Sequence, residues 1–344
     1  MKKVRIAING FGRIGRALFR LVHGRDDVEV VAVNDLGSVD NLAYLLHYDT
    51  VYGRAAFDVV ATADSLSAGG VAVPFFSIKN PAELPWKKLG VDVVVEATGV
   101  FDDYEKAKAH LDAGATRVVI TAPVKAEVLD LGATVLPGIN EDTLASVSIT
   151  SNGSCTTLSV APVIAIIDGA IGIDKALLTT THAYTASQGL VDGPVPHASK
   201  TSDLRRGRAA AANIVPSSTG SAVAVAKAYE GLAGKFDGIS LRVPVTIGSI
   251  SDITFVTKRE TSVEEVNDVL TKAAREVCWE HLFDVAEDQL VSSDIIGNPH
   301  MSIAQLDMTR VVGGNLVKVL AWYDNEAGYT NALVSHILAA GKYV

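Results

Sequence analysis

Short apolar runs rich in β-branched residues alternate with amphipathic stretches through the first half of the chain. Val4 to Ile8, Val28 to Val33, Val91 to Glu96 and Arg117 to Thr121 read as strands, and the segment that places Leu18, Leu21 and Val22 together reads as a helix. Strands and helices in this alternation predict an α/β unit with a parallel, doubly wound sheet. Past Cys155 the texture changes. Leu177 to Thr181, Gly238 to Val243, Ile247 to Thr257 and Leu316 to Tyr323 read as longer, two-sided strands joined by turns, the pattern of an α+β unit with a mixed, largely antiparallel sheet. Tyr329 to Ala340 sets Leu333, Val334, Ile337 and Leu338 on one face, which predicts a helix packed on a folded body. Val191 to Asp203, with Gly193 and Pro194, reads as a long functional loop because strong apolar patterns continue on both sides.

A length of 344 residues predicts two domains. Hydrophobic residues at 48% and charged residues at 20% fit a folded globular chain and exclude a largely disordered one. The net charge of -9 argues against a broad phosphate-backbone footprint, so no nucleic-acid partner is expected. No apolar run is long enough to span a bilayer, and Met1-Lys2-Lys3 leads into a strand without a signal-peptide core, so the expected location is the cytoplasm, with no membrane association. Cys155 and Cys278 are too few for a disulfide framework, which leaves both as thiols in a reducing compartment.

Gly10-x-Gly12-x-x-Gly15 lies between a strand and a helix, where glycines permit a tight turn, close approach of a pyrophosphate to backbone amides, and tight helix packing. Asp35 ends the next strand, where a carboxylate bonds the ribose hydroxyls of a dinucleotide and repels a 2′-phosphate. The cofactor expected from this spacing is NAD.

Ser154 is placed to cap a helix that begins at Cys155 and continues through the apolar run Leu158 to Ile167. A thiol in the first turn meets the positive end of the helix dipole, which predicts a depressed pKa and a nucleophile. Cys278, between Val277 and Trp279 in a helical stretch, is expected to be a small buried hydrophobe without chemistry. Among eight histidines His182 is the best candidate base, because it follows the strand Leu177 to Thr181 and precedes the polar Tyr184, Thr185, Ser187 and Gln188. A hydrogen-bonded packing role fits His182 equally well. Nothing suggests a metal site.

Asn9-Gly10-Phe11-Gly12-Arg13-Ile14-Gly15-Arg16, Ser154-Cys155-Thr156-Thr157, Thr181-His182-Ala183-Tyr184-Thr185, Pro216-Ser217-Ser218-Thr219-Gly220, Leu241-Arg242-Val243-Pro244 and Trp322-Tyr323-Asp324-Asn325-Glu326 occur in that order. With these motifs the chain resembles the glyceraldehyde-3-phosphate dehydrogenases over nearly its whole length. The resemblance implies phosphorylating oxidation of glyceraldehyde 3-phosphate with NAD and inorganic phosphate, with Cys155 as nucleophile and His182 as base. It implies cofactor contacts from Gly10, Phe11, Gly12, Arg13, Ile14, Asp35, Thr121, Asn325 and Tyr329. Thr185 and Arg242 would hold the substrate phosphate, and Ser154, Thr156, Arg206, Thr219 and Gly220 the attacking phosphate. It also implies a homotetramer in which the loop Val191 to Asp203 lies between subunits. The domains expected are 1–154, binding NAD and completed by the C-terminal helix 325–344, and 155–324, catalytic.

The chain departs from the family pattern at Leu158 and Ser159, where asparagine and a second cysteine are usual, at Ser187, and at Ala327, where tryptophan is usual. Erythrose-4-phosphate dehydrogenase, which releases its thioester to water, is the nearest alternative. A non-catalytic NAD-binding interaction protein is another.

Overall fold

The structure is a computed structural model that describes residues 3–124, 131–195 and 203–344. The chain divides into two compact units, one of Met1–Ser154 with Thr330–Val344, the other of Cys155–Tyr329. Residues 196–202 of the loop Val191 to Asp203 lie outside the described residues.

The first unit is built on a nine-stranded sheet. Its order is Gly132–Thr134, Ile149–Ser151, Arg117–Ile120, Val93–Glu96, Val4–Asn9, Val28–Asn34, Val71–Phe76, Ser65–Ala68 and Val59–Ala61. The first seven strands run parallel and the last two extend the sheet as antiparallel neighbours. The near-continuous apolar runs predicted from sequence are central strands: Val93, Val94, Val95, Val118 and Val119 have no exposed surface, because a parallel sheet is covered on both faces. Val4–Asn9 sits between Val28–Asn34 and Val93–Glu96, so the chain reverses its winding direction at the carboxyl end of Val4–Asn9. Such a switch point opens a crevice for ligands in sheets of this class. Helix Ala327–Ala340 contributes His336, whose Nδ1 donates to Asn152 Oδ1 at 2.9 Å and whose Nε2 accepts from Thr150 Oγ1 at 2.8 Å.

The second unit carries an eight-stranded mixed sheet. Its path is Val215–Ser218, Phe236–Val243, Ile173–Ala183, Ser249–Thr257, Leu316–Tyr323, Ser302–Gln305 and Phe283–Ala286, with Arg310–Val312 paired to Leu316–Tyr323. Two neighbouring pairs are parallel, Ile173–Ala183 with Phe236–Val243 and Phe283–Ala286 with Ser302–Gln305, and the other pairs are antiparallel. Helix Cys155–Ala170 packs across the central strands and buries Leu158, Val160, Val163, Ile164 and Ile167. Strict alternation along Leu316–Tyr323 sends Val317, Val319, Ala321 and Tyr323 inward, toward the helix-covered face.

Cys278 corrects its expectation. Helix Val263–Ala273 ends before it, and the chain then winds in turns that bury Trp279, Leu282 and Phe283 while Cys278 is exposed. The large Trp279 takes the inward position, and its neighbour faces out.

Candidate active site

In the first unit, Gly10 adopts φ +96°, and a Cβ there would come within 2.6 Å of the Ala97 carbonyl carbon and the Thr98 amide. A Cβ on Gly15 would lie 2.2 Å from the Gly10 carbonyl oxygen, which closes the helix onto the strand. A Cβ on Gly12 would meet nothing within 4 Å. Helix Arg13–Val22 therefore starts beneath open space at its N-cap Gly12, which supplies no side-chain cap, and the positive end of a helix placed this way favours an anion. The Asp35 carboxylate reaches this turn: Oδ2 accepts from the Phe11 amide at 2.7 Å and Oδ1 from the Gly37 amide at 2.7 Å. A narrow glycine turn with an adjacent carboxylate fits NAD. The Arg13 guanidinium pairs with Asp49 at 2.5 Å, and Thr121 Oγ1 donates to the Glu96 carbonyl at 3.1 Å.

In the second unit, helix Cys155–Ala170 begins at Cys155. His182 lies within strand Ile173–Ala183, on the face that packs this helix, and its Nε2 is 3.3 Å from Cys155 Sγ. Two residues 27 apart in sequence thus form a thiol–imidazole pair. On the other side of the ring, His182 Nδ1 lies 2.6 Å from the Ala183 carbonyl oxygen and 2.9 Å from Arg242 Nη1, and Arg242 also donates to that carbonyl at 3.2 Å. Register explains the approach, because His182 and Arg242 are partners on neighbouring parallel strands.

The expected depression of the Cys155 pKa is overturned. Burial raises the thiol above its ordinary value, and this outweighs the lowering by Arg242, the Thr156 amide and the Thr156 hydroxyl. A helix terminus favours a thiolate by a modest amount, whereas removal of water penalises its whole charge. His182 is pushed down to about 3, by burial first, then by Arg242 and Arg206, against the raising effect of the Ala183 carbonyl. The pair rests as thiol and neutral imidazole at neutral pH.

The other candidate residues are placed by their own contacts. Arg206 donates from Nε to Ser217 Oγ at 2.8 Å and from Nη2 to the Ser218 carbonyl at 3.3 Å. Thr219 Oγ1 is 2.9 Å from Ser221 Oγ and accepts from the Ser221 amide at 3.2 Å, at the start of helix Ser221–Ala228 that follows Gly220. Thr185 Oγ1 is 2.9 Å from Ser187 Oγ. Thr156 Oγ1 points inward, 2.8 Å from the hydroxyl of Tyr323. Asn325 is buried, its Oδ1 accepting from Ser249 Oγ at 3.0 Å, and Tyr329 is buried in the same unit. Ser154 precedes the nucleophile directly, at the end of the first unit, where Ile14 also lies. At the departures from the family pattern, Leu158 is fully buried and Ser159 Oγ bonds Ser251 Oγ at 3.0 Å, so the helix keeps a polar tie to the sheet.

Tyr323 and Gln188 are site neighbours to which the sequence reading gave no role. The Tyr323 hydroxyl bridges Thr156 and Thr180, each at 2.8 Å, and its ring meets His182 edge to face at 5.9 Å. Gln188 Oε1 accepts from the Thr185 amide at 3.3 Å, while its buried Nε2 has no partner among the described residues. The alternation along Leu316–Tyr323 was the available signal for Tyr323. For Gln188 there was none.

A dinucleotide fold and a cysteine–histidine pair in one chain define an NAD-dependent oxidoreductase. Residues 4–104 match the family model for the glyceraldehyde 3-phosphate dehydrogenase NAD binding domain, and residues 154–325 the one for its C-terminal domain. Glyceraldehyde-3-phosphate dehydrogenase 2 of Streptomyces avermitilis is 46% identical over 342 residues, covering 98% of this chain and 99% of the relative. The Mycobacterium avium glyceraldehyde-3-phosphate dehydrogenase is 45% identical over 347 residues and that of Xanthobacter flavus 44% over 342, with the same coverage. The chain belongs to the glyceraldehyde-3-phosphate dehydrogenase family.

Proposed function

We propose that this protein oxidises glyceraldehyde 3-phosphate to 1,3-bisphosphoglycerate in the cytoplasm, with Cys155 as nucleophile and His182 as base. The observation that carries the reading is the 3.3 Å approach of Sγ to Nε2 beside two guanidinium groups, Arg242 and Arg206, neither in an ion pair with a carboxylate among the described residues. Arg242 Nε is buried without a partner, so a tetrahedral anion would satisfy it.

The family resemblance assigns NAD contacts to Gly10, Phe11, Gly12, Arg13, Ile14, Asp35, Thr121, Asn325 and Tyr329. Bound NAD supplies the hydride acceptor. Cys155 Sγ bonds to the aldehyde carbon as its proton passes to His182 Nε2, the carbonyl π pair moves to oxygen, and the proton then returns to that oxygen. His182 Nε2 takes the same hydroxyl proton as the carbon is oxidised, leaving a thioester on Cys155. Phosphate held by Ser154, Thr156, Arg206, Thr219 and Gly220 attacks the thioester carbon. The C–S bond breaks, the proton of the hydrogen phosphate restores the thiol, and the proton on Nε2 leaves to water. Thr185 and Arg242 hold the substrate phosphate throughout.

A homotetramer is part of this reading, supported by the outer face of the second unit's sheet, where Leu177, Ile239 and Leu316 are 64%, 52% and 42% exposed. The test is NADH formation from glyceraldehyde 3-phosphate with and without inorganic phosphate. Turnover that needs phosphate and is lost in Cys155→Ser supports the assignment. Equal turnover without phosphate, or a preference for erythrose 4-phosphate, replaces it with the hydrolytic relative.

A further inference from the structure

Arg242 is a substrate-phosphate ligand in the reading above, yet its contacts do not end there. Its Nη1 stands 2.9 Å from His182 Nδ1, and a guanidinium has donors only. The Ala183 carbonyl, 2.6 Å from Nδ1 and 3.2 Å from Nη1, is an acceptor for both. A single carbonyl thus faces two donors when the imidazole carries its proton on Nδ1, which leaves Nε2 with the lone pair that faces Cys155. In this state the ring is fit to accept a proton, but the imidazolium so formed would stand against a full positive charge at hydrogen-bond distance. Arg206 adds to that field, and Tyr323 faces the ring with a neutral hydroxyl, whose pKa burial pushes well above the ordinary tyrosine value. No carboxylate is within ion-pair distance of Arg242 among the described residues, so its charge is uncompensated.

We propose that Arg242 is a brake on the His182 base, released when a dianionic phosphate seats on Arg242 and compensates the charge beside Nδ1. The inference rests on the assignment of the substrate phosphate to Arg242 and adds a second consequence of the same binding event. The charge acts in opposite senses on the two partners. Before the anion arrives it favours the Cys155 thiolate, which is the nucleophile, and opposes the imidazolium. Once the anion is seated, the thiolate loses that support and the imidazolium gains it. The substrate phosphate seats before attack, and from then on His182 must accept the Sγ proton as the C–S bond forms and later the hydroxyl proton, so the gain in imidazolium stability serves both transfers. An aldehyde lacking the phosphate would meet the brake still on. Arg242 is therefore a positioning residue for His182 as well as an anion ligand.

Two midpoints test this in the full chain, without aldehyde or NAD, so the result is independent of whether the dehydrogenase assignment holds. Alkylation of Cys155 by the neutral reagent iodoacetamide gives the thiol midpoint, and ¹⁵N resonances of the imidazoles, with His182 identified by its loss in His182→Asn, give the histidine midpoint. Sulfate is the probe, because it stays doubly charged across the pH range. Both midpoints are expected to rise as sulfate saturates, by a pH unit or more for His182. Arg242→Gln is expected to show both already raised and to remove the response. Sulfate binding that leaves both midpoints in place overturns the proposal, as does failure of sulfate to bind. So does a response that survives in Arg242→Gln and vanishes in Arg206→Gln. The titration of the unmodified chain needs no variant, so a misfolded substitution does not decide the matter.

Discussion

At the scale of single residues, the site depends on how water is removed from two titratable groups. His182, with its pKa near 3, stays neutral and able to accept a proton far below the ordinary histidine range. Its protonation therefore removes activity only at pH well under 6.5, and initial rates of the purified enzyme should show no acid limb of histidine type between pH 6 and pH 7. A limb centred there would mean that His182 titrates as an exposed histidine and that the buried pair is wrongly described. His182→Asn, which keeps a polar group without a base, is expected to lower kcat by roughly 10²–10⁴-fold, the usual worth of a positioned general base. A loss under tenfold would transfer the role to another group. Gly10 makes the complementary case in the first unit. Alanine there combines φ +96° with a Cβ 2.6 Å from backbone atoms of Ala97 and Thr98, neither of which is the end of a flexible side chain. Gly10→Ala should lose measurable NAD binding by calorimetry. Unchanged affinity would show that the turn is not where the pyrophosphate is held.

At the scale of elements, helix Ala327–Ala340 is tied to the strand before the nucleophile through one histidine. His336 donates to Asn152 and accepts from Thr150, and burial, helped by Arg117, holds its pKa near 3. The unfolded chain has an ordinary histidine there, near 6.5, so between about pH 6.5 and pH 3 the unfolded state binds a proton that the folded state refuses. The stability from the neutral, bonded ring is thus complete above about 6.5 and is lost as pH falls, at up to about 1.4 kcal/mol per pH unit. His336→Gln should flatten the fall of urea midpoints between pH 6.5 and pH 5 relative to the parent. Parallel curves would mean that the ring is protonated in the folded state. None of these ties was legible in the sequence, because Thr150 and His336 are 186 residues apart and only the fold brings them together. The strands themselves were legible where burial is regular: Leu316–Tyr323 matches its alternation, and Val93–Glu96 and Arg117–Ile120 match their β-branched runs. The extension Val59–Ala61, Ser65–Ala68 and Val71–Phe76 was not read, although Gly69 and Gly70, at φ +57° and +83°, mark its hairpin turn, because Pro74 and the small polar residues break the strand pattern. The thiol pKa was misread for a related reason. A helix start is visible in sequence, and the depth at which it is buried is not.

At the scale of the whole molecule, the homotetramer proposed above needs a contact surface, and the outward face of the second unit's sheet, where Leu177, Ile239 and Leu316 stand among Asp237 and the Asp252–Lys318 pair, is the candidate. The inner face of the second unit's sheet is covered by helix Cys155–Ala170, while Leu177, Ile239 and Leu316 project from the opposite face. Leu177 pairs in register with Asp237, Thr179 with Ile239, and Val256 with Leu316, so the three apolar side chains stand on one surface spanning four consecutive strands. Such a surface invites a second sheet to pack face to face, and two copies of this chain carry matching faces by symmetry. Burial of a leucine or isoleucine side chain is worth about 1.5–3 kcal/mol, so a few such residues from each copy supply a large part of an obligate contact. Charge placed there should be tolerated by the protomer, since these positions are exposed within it, and should be refused by the assembly. Leu177→Lys with Ile239→Lys is therefore expected to convert the sedimentation profile from tetramer to a smaller species while circular dichroism stays that of the parent. A parent that sediments as a monomer would remove the reason for the apolar face. A variant that remains tetrameric would place the subunit contact on another surface.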